Sequence, residues 1–327
     1  MKQEVEQLNN QGVKFFLKGE FQNAKSKYGE ALKISPNYTT ALNNLGMVLL
    51  QEKEFKKAAE HFLKANREEE NPTYLLNLGH AYANQGLIKE AEECYTKSIE
   101  LDSSSLMAWK SLAALYQYQK RFNESVEVWS HIIEHISRDP EFKIQLGKDL
   151  ISLGEYQNAA EVLYEASKYE KDIEITCYYL SLIHFHSKNF GLAKEAINKS
   201  IAKKPDYAEF RVLAASIYLG LSQLDNAIEQ WDHVLRVDKN NHKVRIDKAV
   251  AMLAHGLKRE ALVELDYVIT KIKTDSKALF YKALTLIEMN TKINEAVEIL
   301  NTLRESDGIF SDRAKELLNE LKHKYDL

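Results

Sequence analysis

The side chains of this 327-residue chain that could do chemistry are few and scattered. His131 and His135 stand four apart and so share a helix face, but no third ligand follows at a spacing that would complete a zinc site. They read as solvated histidines. His184 and His186 are two apart and leave a helix on different sides. Cys94 and Cys177 are the only cysteines, too few for a disulfide framework or a thiolate cluster, and read as buried packing residues. Glu68, Glu69 and Glu70 form an acidic run beside a junction, which reads as a solvated face. No glycine-rich loop precedes a Lys-Ser or Lys-Thr pair, so nothing prepares a phosphate cradle. What does recur is the amide. Asn10, Asn44 and Asn77 return at a near-constant interval, with Asn9 and Asn43 beside the first two. Each offers one acceptor and two donors, a set that matches a peptide backbone whatever its sequence. The expectation is recognition of a protein or peptide, with no catalytic residue, cofactor or metal.

The interval belongs to the whole chain. Nine copies of one unit begin near residues 5, 39, 72, 106, 140, 174, 208, 242 and 276, a period of about 34 residues. The eighth place of each is small, as in Gly12, Gly46, Gly79 and Ala113, and so is the twentieth, as in Ala24, Ala58, Ala91 and Ser125. The twenty-fourth is large, as in Tyr28, Phe62, Tyr95 and Trp129. Two helices approach closely only where facing side chains are small, and bulky neighbours must then fill the remaining space. Apolar residues within a unit fall at helical spacing, as in Leu42, Leu45, Val48 and Leu49. Each copy therefore predicts helix A, a short turn and helix B. Pro72 and Pro140 stand at the first position of a helix A, with Asn71 and Asp139 before them as N-caps. Gly19, Gly86, Gly154 and Gly256 fall at the fifteenth place, where helix A must end.

Ala41-Leu42-Asn43-Asn44-Leu45-Gly46 and Gly19-Glu20-Phe21-Gln22-Asn23-Ala24, together with the small and large places above, resemble the tetratricopeptide repeat over residues 5 to about 310. The resemblance implies an all-α, right-handed superhelix of nine hairpins, with helix A of each unit lining a concave groove. Residues 1–310 form the array in this reading. Residues 311–327 add a capping helix and tail, with Ala314, Leu317, Leu318 and Leu321 on one face. No comparable cap is evident ahead of the first unit. Three departures stand out: Lys143 at place four of the fifth unit, Lys248 at place seven of the eighth, and an extra residue around Asn290-Thr291-Lys292 in the ninth.

The resemblance puts the groove floor at places two, five, six, nine, twelve and thirteen of each unit. The asparagines then line its first three units, similar to the amide ladder in the repeat region of O-linked N-acetylglucosamine transferase. Further along, the same places become aromatic: Tyr118, Tyr178, Tyr179, Phe185, His186 and Tyr281. Aromatic anchors bury large area at modest entropic cost. Another subgroup of the family clamps acidic C-terminal tails with lysines and arginine. The matching places here are Asn9, Val13, Asn44, Thr73 and Asn77, and without cations a terminal carboxylate has no charge-assisted partner.

Composition narrows the partners further. With 44 basic and 48 acidic side chains and a net charge of -4, no strong field draws the chain to nucleic acid or an anionic membrane. The first residues lack the apolar core of a secretory signal, and no stretch is long and apolar enough to span a bilayer. The expected protein is a cytoplasmic, non-catalytic scaffold or adaptor that holds an extended peptide or partner helix in its groove. A second reading is self-association through the uncapped first unit into dimers or filaments. RNA binding by a related helical repeat comes third, against the charge.

Overall fold

The computed structural model describes residues 2–306 and 308–325. Among them are nineteen α-helices and no strand, so the predicted class holds. The chain divides into two compact units, residues 1–171 and 172–327. In the first, five hairpins follow one another: α1 (Lys2–Leu17) with α2 (Phe21–Ile34), α3 (Thr39–Gln51) with α4 (Phe55–Glu68), α5 (Pro72–Asn84) with α6 (Ile88–Leu101), α7 (Leu106–Tyr118) with α8 (Phe122–His131), and α9 (Pro140–Ser152) with α10 (Tyr156–Ala166). A π-helical turn, Ile132–Ile136, extends α8. In the second unit come α11 (Ile173–His186) with α12 (Phe190–Lys203), α13 (Ala208–Gly220) with α14 (Leu224–Val237), α15 (His242–Ala254) with α16 (Lys258–Lys271), α17 (Ser276–Glu288) with α18 (Ile293–Arg304), and α19 (Ser311–Tyr325).

The alternation of small and large residues does what its spacing predicts. A Cβ placed on Gly46 would lie 2.6 Å from the Phe62 ring, and one on Gly79 would lie 2.5 Å from Tyr95. Phe62 is fully buried and Tyr95 nearly so. Place eight of helix A is thus the seat of the place-24 ring of helix B. Asn71 and Asp139 do cap α5 and α9, each accepting a backbone N–H two residues on, at 2.9 Å.

Each turn between helices A and B has a residue with positive φ at place fifteen. Four are the glycines, with φ from 75° at Gly19 to 84° at Gly256; the others are Lys53, Lys120, Lys188, Ser222 and Asn290. The next backbone N–H reaches back five residues, as in Glu54 to Leu49 O at 2.8 Å and Arg121 to Tyr116 O at 2.9 Å. That bond closes a Schellman motif. The extra residue of the ninth unit produces a second left-handed residue, Lys292, and α18 starts only at Ile293.

The departures have partners. Lys143 pairs with Glu165 of its own hairpin at 2.5 Å. Lys248 is buried and donates to Asp232 and Glu264, both at 2.6 Å. Lys282, at the same place one repeat later, reaches Asp266 at 2.9 Å and Glu295 at 2.7 Å. At the far end, Ala314, Leu318 and Leu321 of α19 are buried against a core that includes Phe280, Leu300 and Leu303.

The first unit differs from the later ones on one face. Places three, seven and ten pack inward in later units, as with Ala41, Leu45 and Val48 or Tyr74, Leu78 and Ala81, all buried. In α1 they are Gln7, Gln11 and Lys14, and all three are exposed. These three places therefore carry polar side chains in water, where the later units carry apolar ones in the core.

Candidate functional site

Helix A of each hairpin presents its places five, six, nine, twelve and thirteen on one side, where the asparagines meet. Asn44 Nδ2 donates to Asn9 Oδ1 at 2.9 Å, and Asn77 Nδ2 donates to Asn43 Oδ1 at 2.8 Å. In both pairs place six of one helix A reaches place five of the helix A before it. Asn9, Asn43 and Asn77 are only 4%, 9% and 8% exposed. These amides therefore join neighbouring repeats, and the buried three have little surface left for a ligand. Asn44 is half-buried and Asn10 is exposed, so the exposed ladder expected from spacing shrinks to those two residues.

The pattern breaks at the junction between α5 and α7. Place five is Leu76 there, and Ser111 at place six meets the ring of His80 instead, Oγ to Nε2 at 2.9 Å. A cavity of about 330 Å³ opens at this junction, lined by His80, Ala83, Tyr95, Ser111, Ala114 and Tyr118 among others. The Tyr95 ring stands edge-on to His80, centroids 5.5 Å apart. Burial lowers the His80 pKa, which keeps the ring neutral near pH 7. Tyr118 is 78% exposed at the rim, and Leu17, at the same place in α1, is 79% exposed.

The junction of α7 with α9 is closed by a group that the spacing argument overlooked. Asp149 is fully buried in α9. It accepts from Gln117 at 2.8 and 2.9 Å, from Ser125 at 2.6 Å and from Trp129 Nε1 at 3.1 Å. Burial raises its pKa, partly offset by the Ser125 and Gln117 hydrogen bonds. An aspartate at place ten, where neighbouring units carry Val48, Ala81 and Leu115, was the visible signal.

In the second unit the aromatic candidates are mostly packed. Tyr178 lies 5.3 Å from the Phe210 ring and 5.2 Å from Tyr179. Tyr281 sits against Phe280 at 5.6 Å and Phe310 at 6.4 Å. His186 is exposed, its ring 5.9 Å from Phe185. Tyr178 also borders a cavity of about 330 Å³ with Val212, Ser216, Lys243 and Asp247. An adjoining one of about 350 Å³ shares Val212, Ser216 and Asp247 and adds Trp231 and His255. These hollows have charged rims, unlike the one beside Tyr118.

The remaining candidates for chemistry settle into structure. Cys94 and Cys177 are buried free thiols, and burial pushes Cys94 up to about 11. His131 is not merely solvated, since its ring lies 4.3 Å from Trp109 and 4.7 Å from His135. Glu68, Glu69 and Glu70 are exposed, as expected. No helix among the described residues is long and apolar enough to cross a membrane.

Known proteins resemble the chain along most of its length. The bovine BBSome complex member BBS4 is 23% identical over 295 residues, covering 89% of this chain. The chain spans 56% of that relative's length. Among solved structures, the C-terminal part of a TPR repeat-containing protein from Cytophaga hutchinsonii superposes with a TM-score of 0.62 at 16% identity, over 72% of this chain and 97% of that one. The APC/C hetero-tetramer Cut9–Hcn1 gives 0.54 at 17% identity, over 81% of this chain and 52% of that one. Both structures share the fold. The family model described as the Cilia and flagella-associated protein 70 C-terminal domain matches residues 3–241, and with the hairpins and helix seats above it makes this chain a tetratricopeptide-repeat protein belonging to that family.

Proposed function

We propose that the chain is a non-catalytic scaffold subunit that seats a segment of a partner protein on the A-helix side of its first unit, within an assembly of the cilium or flagellum. The exposure of Tyr118 carries the reading. A large aromatic ring left mostly in water beside an open cavity is the kind of anchor that dominates protein interfaces. Resemblance to a BBSome complex member supports a place in a multi-protein assembly, as does the family description. A cytoplasmic or ciliary setting suits such a role. The polar outer face of α1 gives self-stacking no support, and the cavity beside Tyr118 lacks the cations that RNA would need.

A photo-crosslinking residue placed at Tyr118 should capture a partner from a ciliated cell extract. The same residue at Lys97, exposed on α6, should capture far less. Equal capture from both positions would reject the A-helix side as the binding face.

A further inference from the structure

We propose that the cavity between α5 and α7 receives one bulky aliphatic or aromatic side chain from an uncharged segment of the partner protein. The proposal rests on the A-helix side being the binding face and specifies what that face selects.

The cavity exists because two side chains are short. Place twelve carries Phe16, Leu50, Gln117 and Ile151 in the other hairpins of the first unit, but Ala83 in α5. Place nine carries Val13, Met47 and Lys148 in α1, α3 and α9, but Ala114 in α7. The two alanines border the same hollow. Neighbouring junctions are bridged by side chains, through Asn44 with Asn9, Asn77 with Asn43, and Gln117 with Asp149. Here Leu76 has no amide, and the bridge runs instead between Ser111 and His80, both on the cavity wall, leaving the two alanines facing open space.

Size and charge identify the occupant. At about 330 Å³ the hollow lies at the low end of small-molecule sites, roughly 300–1,000 Å³, which suits a single large side chain better than a nucleotide or cofactor. No Asp, Glu, Lys or Arg lines it, and His80 is kept neutral by burial. A charged group entering would lose its water without gaining a counter-ion. The approach from α3 is equally uncharged, with Asn44, Met47, Leu50 and Gln51 at the groove places, then Thr73 and Asn84 on α5. Tyr118 stands at the rim, where its ring can close over the guest.

The test uses the full chain with four neutral-backbone probes: the N-acetyl amides of leucine, tryptophan, aspartate and lysine. Saturation-transfer NMR at millimolar probe should detect the leucine and tryptophan amides and not the aspartate and lysine amides. Ala83→Leu fills the hollow from within, so it should weaken the apolar probes by at least about tenfold, equivalent to about 1.4 kcal/mol, without lowering the thermal midpoint. Ala114→Met serves the same purpose if Ala83→Leu does not fold. Equal signals from charged and apolar probes, or apolar signals unchanged by either filled variant, would overturn the proposal. Crosslinking from position 118 separates the two levels: capture that persists undiminished in the filled variant keeps the binding face and removes the pocket, whereas no capture in the parent chain removes both.

Discussion

A methyl group added at Gly46 would meet the Phe62 ring at 2.6 Å, and Phe62 is fully buried with nowhere to retreat. Gly46→Ala should therefore cost about 1–3 kcal/mol, the usual range for overpacking, read as a lower urea midpoint with an unchanged slope. The paired asparagines make the complementary case. Asn43→Ala leaves the Asn77 amide N–H buried without its acceptor, a loss of about 1–3 kcal/mol, so its effect belongs in an unfolding curve. Asn10→Ala, at an exposed position, should leave that curve unchanged. A double-mutant cycle of Asn43→Ala with Asn77→Ala, showing strong coupling, would confirm that these amides serve each other. Zero coupling would refute it.

At the scale of the helix and its turn, the fifteenth place is held left-handed whichever residue occupies it. Lys53, with φ of 62°, and Lys120, with φ of 59°, carry a conformational penalty of about 1–2 kcal/mol that glycine escapes. Glycine returns part of this through the larger entropy of its unfolded chain, about 0.4–1 kcal/mol. Lys53→Gly should thus stabilise the first unit by up to about 1 kcal/mol, measurable by calorimetry. The glycines that marked this place were legible in the sequence because only they announce positive φ; the lysines do not. Likewise the seats of Phe62 and Tyr95 were readable from the small eighth place, whereas the burial of Asn9, Asn43 and Asn77 was not. Helical periodicity says which face a residue occupies, but not whether its amide meets water or another amide. Spacing likewise did not show that Tyr178 and Tyr281 pack against Phe210 and Phe280, since it cannot distinguish a ring on a surface from one against another ring. Departures from the pattern did come in compensated sets. Ser125, where other units have alanine, donates to Asp149, and Lys248 and Lys282 each find two carboxylates.

Across the whole molecule those sets respond to acid in opposite directions. For Glu264, burial alone would raise the pKa, but hydrogen bonds from Lys248 and Arg245 bring it below the usual carboxylate value. Its stabilisation is present above the unfolded-state value, about 4.3, and is lost as pH falls through the lower folded-state value. Asp149 is raised instead, chiefly by burial, so falling pH between its folded and unfolded values favours the folded state at that site. Hydrogen-exchange protection factors should fall in α15 and α16 below about pH 4, while α8 and α9 keep theirs. Glu264→Gln should remove most of the acid response of α15 and α16. Deleting α19 is a third whole-chain test. It uncovers Phe280, Leu300 and Leu303, so the shortened protein should unfold at a lower temperature and aggregate, as an uncapped array does.

The wet wall formed by Gln7, Gln11 and Lys14 decides how such a protein can lengthen. A hairpin grafted directly against α1 would meet amides and an ammonium in place of a methyl-lined socket, a poorer seat than α3 presents at the same places. Turning the wall into a socket takes three changes, Gln7→Ala, Gln11→Leu and Lys14→Val, which copy what α3 carries at the same places. Sedimentation of that variant should reveal stronger concentration-dependent association than that of the parent chain.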